Sequence, residues 1–383
     1  MVGVPTSPAR ATATASPVLE IAQISKIYPG GTQALRGVSL NIVRGQVHGL
    51  VGANGAGKST LIKIIAGAEQ PTTGSLRWHG ARTDWRRPAD ARAAGVAVVH
   101  QQSPVAAALS VLENVYLGQG AGGVWKPRER QREFDALCTG IDFEIDPHAT
   151  VSGLSIGDRQ MVSILRALAQ QPALILLDEP TASITPAERA GVLGAARRLA
   201  GTGVAVVFVS HFLNEVAEIC DVVSVLRDGA LVDEFDAAAL TEERMVAGIV
   251  GNRLRAVENA KPSHEIGASV LRVRGLQSVR MAEPISLDVK RGEIVGLAGL
   301  LGSGRTSLLK AIFGADRRVS GQVVVNDRPL PSSPAAAVKG GVAFVPEDRL
   351  GQGLIGDWEI WRNVSMADLG QLSRRFRVLN PSK

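Results

Sequence analysis

The chain has 383 residues, 45% hydrophobic and only 4% aromatic, a length and apolar content that fit two or three folded domains and exclude a wholly disordered protein. The 42 Lys and Arg against 36 Asp and Glu leave a net charge of +6 spread along the sequence, which makes no nucleic-acid footprint, so no nucleic-acid partner is expected. Cys138 and Cys220 are too few for a disulfide scaffold or a zinc ribbon, and no apolar run approaches the roughly 18 residues needed to cross a bilayer.

Residues 1–18 are rich in Ala, Thr, Ser and Pro without period and are expected to form a disordered tail. Two strands are then expected around EIAQISKIY and VSLNIV. A buried strand, VHGLVG, runs into a Gly-rich turn and the helix STLIKIIAGA. A mainly helical, charged stretch follows, a helical subdomain over about 103–168. After it come the apolar strand ALILLD, a helix from about 186 to 200, and the apolar strand VAVVFVS. Near-continuous apolar strands alternating with helices point to an α/β fold with a mostly parallel core sheet covered on both faces.

The sequence also repeats itself. VSLNIVRGQVHGLVG at 38–52 aligns with ISLDVKRGEIVGLAG at 285–299, and the same offset carries Gly55 to Gly302, Gly57 to Gly304 and Lys58 to Arg305. A one-residue gap then aligns GVAVVHQQ at 95–102 with GVAFVPED at 341–348. Two copies of one unit therefore lie in tandem, at 19–250 and 269–383. The polar, aperiodic, Pro/Gly-marked stretch 251–268 is the expected linker.

GANGAGKS at 52–59 fits G-x-x-x-x-G-K-[ST] in full, after a strand and before a helix. Residues Gly52, Ala53, Asn54, Gly55, Ala56 and Gly57 let backbone N–H groups curl around phosphate oxygens, and the helix start at Ser59 and Thr60 adds a positive dipole end. Lys58 supplies a compact charge for the β- and γ-phosphates, and the Ser59 hydroxyl is a ligand for Mg²⁺. ALILLDEP places two carboxylates at the tip of a core strand. Neighbours on a strand point different ways, so Asp178 is expected to hold the Mg²⁺ and Glu179 to polarise the attacking water. VAVVFVSH ends another core strand with His211, placed to contact the γ-phosphate or that water.

LSIGDRQ at 154–160 resembles the signature loop (consensus LSGGQ) of ABC-type ATPases and stands in its expected place ahead of the DE strand. Ser155 and Gly157 match that pattern, whereas Asp158 replaces the common Gln. The resemblance implies tandem P-loop NTPase domains of ABC type. It also implies that Tyr28 stacks on adenine, that Gln101 ligates Mg²⁺ and senses the γ-phosphate, and that TASIT at 181–185 contacts a partner domain. The second cradle GLLGSGRTS, PEDR at 346–349 and SVLENVYLG resemble the fused ATP-binding subunit of bacterial monosaccharide importers of the ribose/galactose/xylose type. That family implies ATP and Mg²⁺ as cofactors and separate membrane permease subunits as partners. It further implies an external sugar-binding protein acting indirectly, and a peripheral position on the cytoplasmic side of the cell membrane. Its rivals are a soluble ABC ATPase acting on ribosomes or DNA, and a truncated non-catalytic nucleotide-binding remnant.

The second copy departs from the pattern: Arg305 holds the cradle-Lys position, Glu347 replaces Gln101 and Arg280 aligns with Tyr28. It is expected to be a weak nucleotide site at best, since Arg brings a bulkier planar fork to a tight phosphate site. At the first copy's spacing, counterparts of Ser155, Asp178 and His211 would carry numbers near roughly 402, 425 and 458. The second domain is therefore expected to be incomplete. ABC domains, by resemblance, close head-to-tail, each ATP lying between one cradle and the other domain's signature loop. This chain alone is expected to bind ATP but to hydrolyse it poorly, unless another chain supplies that loop.

Overall fold

The computed structural model describes residues 16–100, 104–119, 126–182, 184–236, 239, 241–250, 266–299 and 302–366. Two units are distinguished, Met1–Ala260 and Lys261–Lys383, each described by itself. Most of the expected tail lies outside the described residues, but Pro17 and Val18 already belong to the first strand, so the fold begins slightly earlier than expected. Residues 251–265 of the expected linker also lie outside them.

In the first unit the elements run β1 (Pro17–Ile27), β2 (Gln33–Val43), β3 (Val47–Val51), α1 (Lys58–Ile65), β4 (Thr73–Trp78), β5 (Ala81–Thr83), α2 (Pro88–Ala93) and β6 (Val96–Val99). There follow α3 (Val111–Tyr116), α4 (Pro127–Ile141), α5 (Ile156–Leu168), β7 (Leu174–Asp178), α6 (Pro186–Gly201) and β8 (Ala205–Val209). The unit closes with α7 (Leu213–Ile219), β9 (Val222–Arg227), β10 (Ala230–Asp236) and α8 (Glu242–Val250).

A six-stranded sheet in the order β10-β9-β3-β8-β7-β6 forms the centre, parallel throughout except for the antiparallel edge strand β10. Every residue of β3 and β8 is buried, as expected of strands covered on both faces. Alternation divides them: Val206, Phe208, Ile175 and Leu177 face the core shared with α3–α7, while Val207, Val209, Leu174 and Leu176 face a second core. That second core holds Leu61, Ile62, Ile64 and Ile65 of α1 together with Leu19, Ile21, Leu35 and Val38 of a four-stranded antiparallel sheet, β2-β1-β4-β5. Helix α1 and the cradle before it are thus clamped between two sheets. The helical stretch α3–α5 adds Tyr116, Phe134 and Leu165 to the first core, and among the described residues it forms no separate core of its own.

The second unit repeats the antiparallel sheet in the order β12-β11-β13-β14, with β11 at Ser269–Ser278, β12 at Ile285–Lys290, β13 at Arg318–Val325 and β14 at Arg328–Pro329. Its helix Arg305–Phe313 starts from Gly304 as α1 starts from Gly57. The repeat fails at the core sheet: the apolar segments 294–299 and 342–346, which align with β3 and β6, form no strand, and Ile294 and Val345 are exposed. The physical reason is partnership. In the first unit β3 lies between β8 and β9 and β6 pairs with β7, and strands matching β7, β8 and β9 are absent among the described residues of the second unit.

Candidate active site

The site lies at the carboxyl ends of β3, β7 and β8, the edge of a parallel sheet where ligands bind. After β3 the chain bends at Gly52, where a Cβ would come within 2.3 Å of the Leu226 carbonyl oxygen. It enters α1 through Gly57, whose φ of 104° is left-handed and whose Cβ would meet the Ala34 oxygen at 2.6 Å. No side chain caps α1, so the first-turn N–H groups are left for an anion.

Lys58 lies folded back under this loop, its Nζ donating to the Gly52 carbonyl at 2.7 Å and the Ala53 carbonyl at 3.1 Å. Burial pulls its ammonium below the usual lysine range, while the charges of Glu179 and Asp178 push it back up. Burial and then the neighbouring Glu179 charge raise the Asp178 carboxyl above its usual value. Two half-buried carboxylates and one buried ammonium thus share one end of the sheet. Phosphates beside Lys58 and a divalent cation beside Asp178 would compensate that arrangement.

One cavity of about 310 Å³ gathers part of the expected set. Tyr28 lines it together with Asn54, Gly55, Ala56 and Gly57 of the loop. Lys58, Ser59 and Thr60 at the start of α1 and Glu179 of the DE pair line it too, whereas the expected Gly52, Ala53, Asp178 and His211 are not among its lining residues. Thr32, just ahead of β2, and Gln33 and Ala34, its first two residues, also line it, and the sequence carried no signal for them. Glu179 adopts a left-handed φ of 48°, a strained backbone for a residue before proline. Its N–H donates to the Val209 carbonyl at 2.9 Å. His211, two residues past Val209, places Nδ1 3.5 Å from Glu179 Oε1. The expected Mg²⁺ donors Ser59 and Asp178 offer a hydroxyl and a carboxylate, hard oxygen ligands suited to that ion. Gln101 lies outside the described residues.

Ser155 and Gly157 do not line this cavity. Ser155 caps α5, its Oγ accepting from the Asp158 N–H at 3.0 Å. The same hydroxyl donates to Glu188 Oε1 at 2.6 Å, and the Gly157 N–H reaches that oxygen at 3.2 Å. Glu188 is the acidic partner of a capping box with Thr185 at the start of α6, and holds both element starts together. The motif T-x-x-E at 185–188 was its only trace in the sequence.

The ABC transporter family model matches residues 35–182 and 282–380. The chain is 39% identical over 376 residues to the putative ribose/galactose/methyl galactoside import ATP-binding protein 3 of Agrobacterium fabrum, covering 96% of this chain and 74% of that one. It is 41% identical over 366 residues to the ribose import ATP-binding protein RbsA 2 of Streptomyces avermitilis, covering 92% and 70%. Among solved structures, cbiO1 of Clostridium perfringens, part of the ABC transporter complex cbiONQ, superposes with a TM-score of 0.55 at 25% identity, covering 63% of this chain and 97% of that chain. A bacterial ABC transporter cassette solved as a dimer gives a TM-score of 0.52 at 28% identity, over 58% of this chain and all of the other.

Proposed function

The chain belongs to the ABC transporter family, and from that premise we propose that it is the ATP-binding and ATP-hydrolysing subunit that energises import of a monosaccharide through separate membrane permease subunits. The observation that carries the reading is the single cavity joining Tyr28, the glycine loop, Lys58, Ser59 and Glu179. The sugar enters through the relatives, whose names specify ribose or galactose import. Among the described residues no helix is long and apolar enough to cross a membrane, so the passage for sugar is assigned to other polypeptides. The chain sits on the cytoplasmic side of the membrane, and a sugar-binding protein outside acts through the permease.

In this reading the Tyr28 ring stacks on adenine, and the loop N–H groups with Lys58 hold the phosphates. Ser59 and Asp178, with Gln101 by family resemblance, would hold Mg²⁺, and the ion would supply charge neutralisation at the phosphate oxygens. Glu179 orients water and takes its proton, with His211 beside it. Lys58 exchanges its two carbonyl partners for phosphate oxygens when ATP enters. Ser155 and Gly157, lying away from this cavity, serve a cradle on a paired ABC domain. Nucleotide-driven pairing and release then move the helical stretch that addresses the permease.

The test is isolation of the tagged chain from its own membranes, with ATPase measured on the same material. Recovery of a multi-span permease and magnesium-dependent turnover that disappears in Glu179→Gln is expected. Recovery of ribosomes or nucleic acid instead of a permease contradicts the proposal.

A further inference from the structure

The helix after His211 carries a carboxylate that neither the cavity nor the motifs use. Glu215, in the first turn of α7, turns inward and is 0% exposed. Its Oε2 accepts from two hydroxyls, Thr181 Oγ1 at 2.7 Å and Ser210 Oγ at 2.9 Å. Its Oε1 lies 3.1 Å from Arg189 Nε of α6, but the N–H does not point at it, so the contact is one of charge and not a hydrogen bond. The Arg189 guanidinium in turn stands 4.9 Å from the centroid of the Phe212 ring.

The two hydroxyls belong to the two segments that carry the reacting groups. Thr181 follows Glu179 by two residues, across Pro180, and Ala182 N–H returns to the Glu179 carbonyl at 3.3 Å. Ser210 precedes His211, and its Oγ also accepts from the Phe212 N–H at 3.0 Å, closing the turn that presents the imidazole. A strained left-handed Glu179 persists only where its surroundings over-determine it. Burying a carboxylate against a single guanidinium is a poor route to stability, because desolvation consumes most of the Coulombic gain. It is a good route to fixing one geometry.

We infer that Glu215 is a positioning residue for hydrolysis, locking the segment after Glu179 to the turn bearing His211 so that the two side chains meet; this rests on the ATPase reading above. It touches neither nucleotide nor water and acts through Thr181 and Ser210.

The experiment compares the full chain with Glu215→Ala and Glu215→Gln. It reads kcat and KM for ATP, the Kd for magnesium–ATP, and the His211 ring signals in NMR, identified by their loss in His211→Asn. Glu215→Ala is expected to lower kcat by roughly tenfold or more while KM and Kd stay within about twofold. Its His211 signals are expected to shift while those of distant His79 stay in place. Glu215→Gln, which keeps an acceptor oxygen for both hydroxyls, is expected to recover a large part of kcat and decides the matter if the alanine variant does not fold. Unchanged kcat, or His211 signals superimposed on those of the parent, would overturn the inference. If the parent chain shows no Glu179-dependent turnover even when isolated together with its permease, the ATPase reading fails, and the His211 signals still decide whether Glu215 fixes that turn.

Discussion

Ser155 and Glu188, on separate helix starts, are joined by a 2.6 Å hydrogen bond from the serine hydroxyl to the carboxylate. That hydrogen bond, followed by those from Thr185, holds the Glu188 carboxyl down at about 2. The donors Ser155 Oγ and Gly157 N–H, which family resemblance assigns to a phosphate, are thus already engaged by an anion of their own domain. Glu188→Ala removes a capping box and the tie between α5 and α6, and is expected to cost about 1 kcal/mol of stability, read from the urea midpoint. Because the folded pKa lies below the ordinary 4.5, the contribution is complete above that value and fades as pH falls toward 2. The parent and Glu188→Ala should therefore differ less at pH 3 than at pH 7; an equal gap at both would contradict the assignment.

His48 supplies a second pH dependence in a higher window. It is buried in β3 with Nε2 2.9 Å from Ser224 Oγ, and Ser224 gives its own proton to Glu234 Oε2 at 2.8 Å. His48 therefore donates through Nε2–H. Burial drives its pKa from 6.5 to about 4, so the folded state prefers the neutral ring. Stability is complete above 6.5 and declines as pH falls toward 4, by on the order of 3 kcal/mol in total. Urea unfolding between pH 7 and pH 4 checks this: His48→Gln should flatten the slope, and an unchanged slope rules His48 out as its source.

Phe208 is 0% exposed at the centre of β8, paired in register with Gly49 of β3 and Leu177 of β7. Its ring fills the core between the parallel sheet and the helices. Phe208→Ala is expected to cost 3–5 kcal/mol, of the order typical for a phenylalanine cavity that the surroundings cannot close. A urea midpoint close to that of the parent would show that β8 is not packed as described.

Lys58 is buried beneath its loop, whereas Arg305, in the matching place of the second unit, is exposed. Arg305→Ala is accordingly expected to leave magnesium–ATP stoichiometry at one per chain with unchanged affinity. Equilibrium dialysis with labelled ATP measures this, and a stoichiometry of two in the parent that falls to one in the variant would restore a working second site.

How much of this was legible in the sequence follows from the range of each interaction. The glycine loop, Lys58 and the DE pair were readable because strand, turn and helix succeed one another within a few residues, and each residue type is dictated by the local backbone. Helix α6 was readable from its cap and proline. The strands β4 and β9 were not, because their residues are ordinary and their place is set by pairing with distant β1 and β3, and β5 and β10 follow them as hairpin partners. Segment 294–299 shows the converse: its apolar run matches β3 nearly residue for residue, yet a run becomes a strand only when partners lie on its edges. Glu215 was invisible for the same reason, since Thr181 lies 34 positions away and meets it only through the ends of β7 and β8.

The central claim is that a triphosphate with its metal occupies the cavity between Tyr28 and Glu179, held by Lys58. Isothermal calorimetry of magnesium–ATP on the folded parent and on Lys58→Ala tests it most directly. Saturable binding by the parent, weakened roughly a hundredfold in the variant, a loss of about 2.7 kcal/mol, is the expected result. No heat of binding in the parent, or the same isotherm for both proteins, would contradict it.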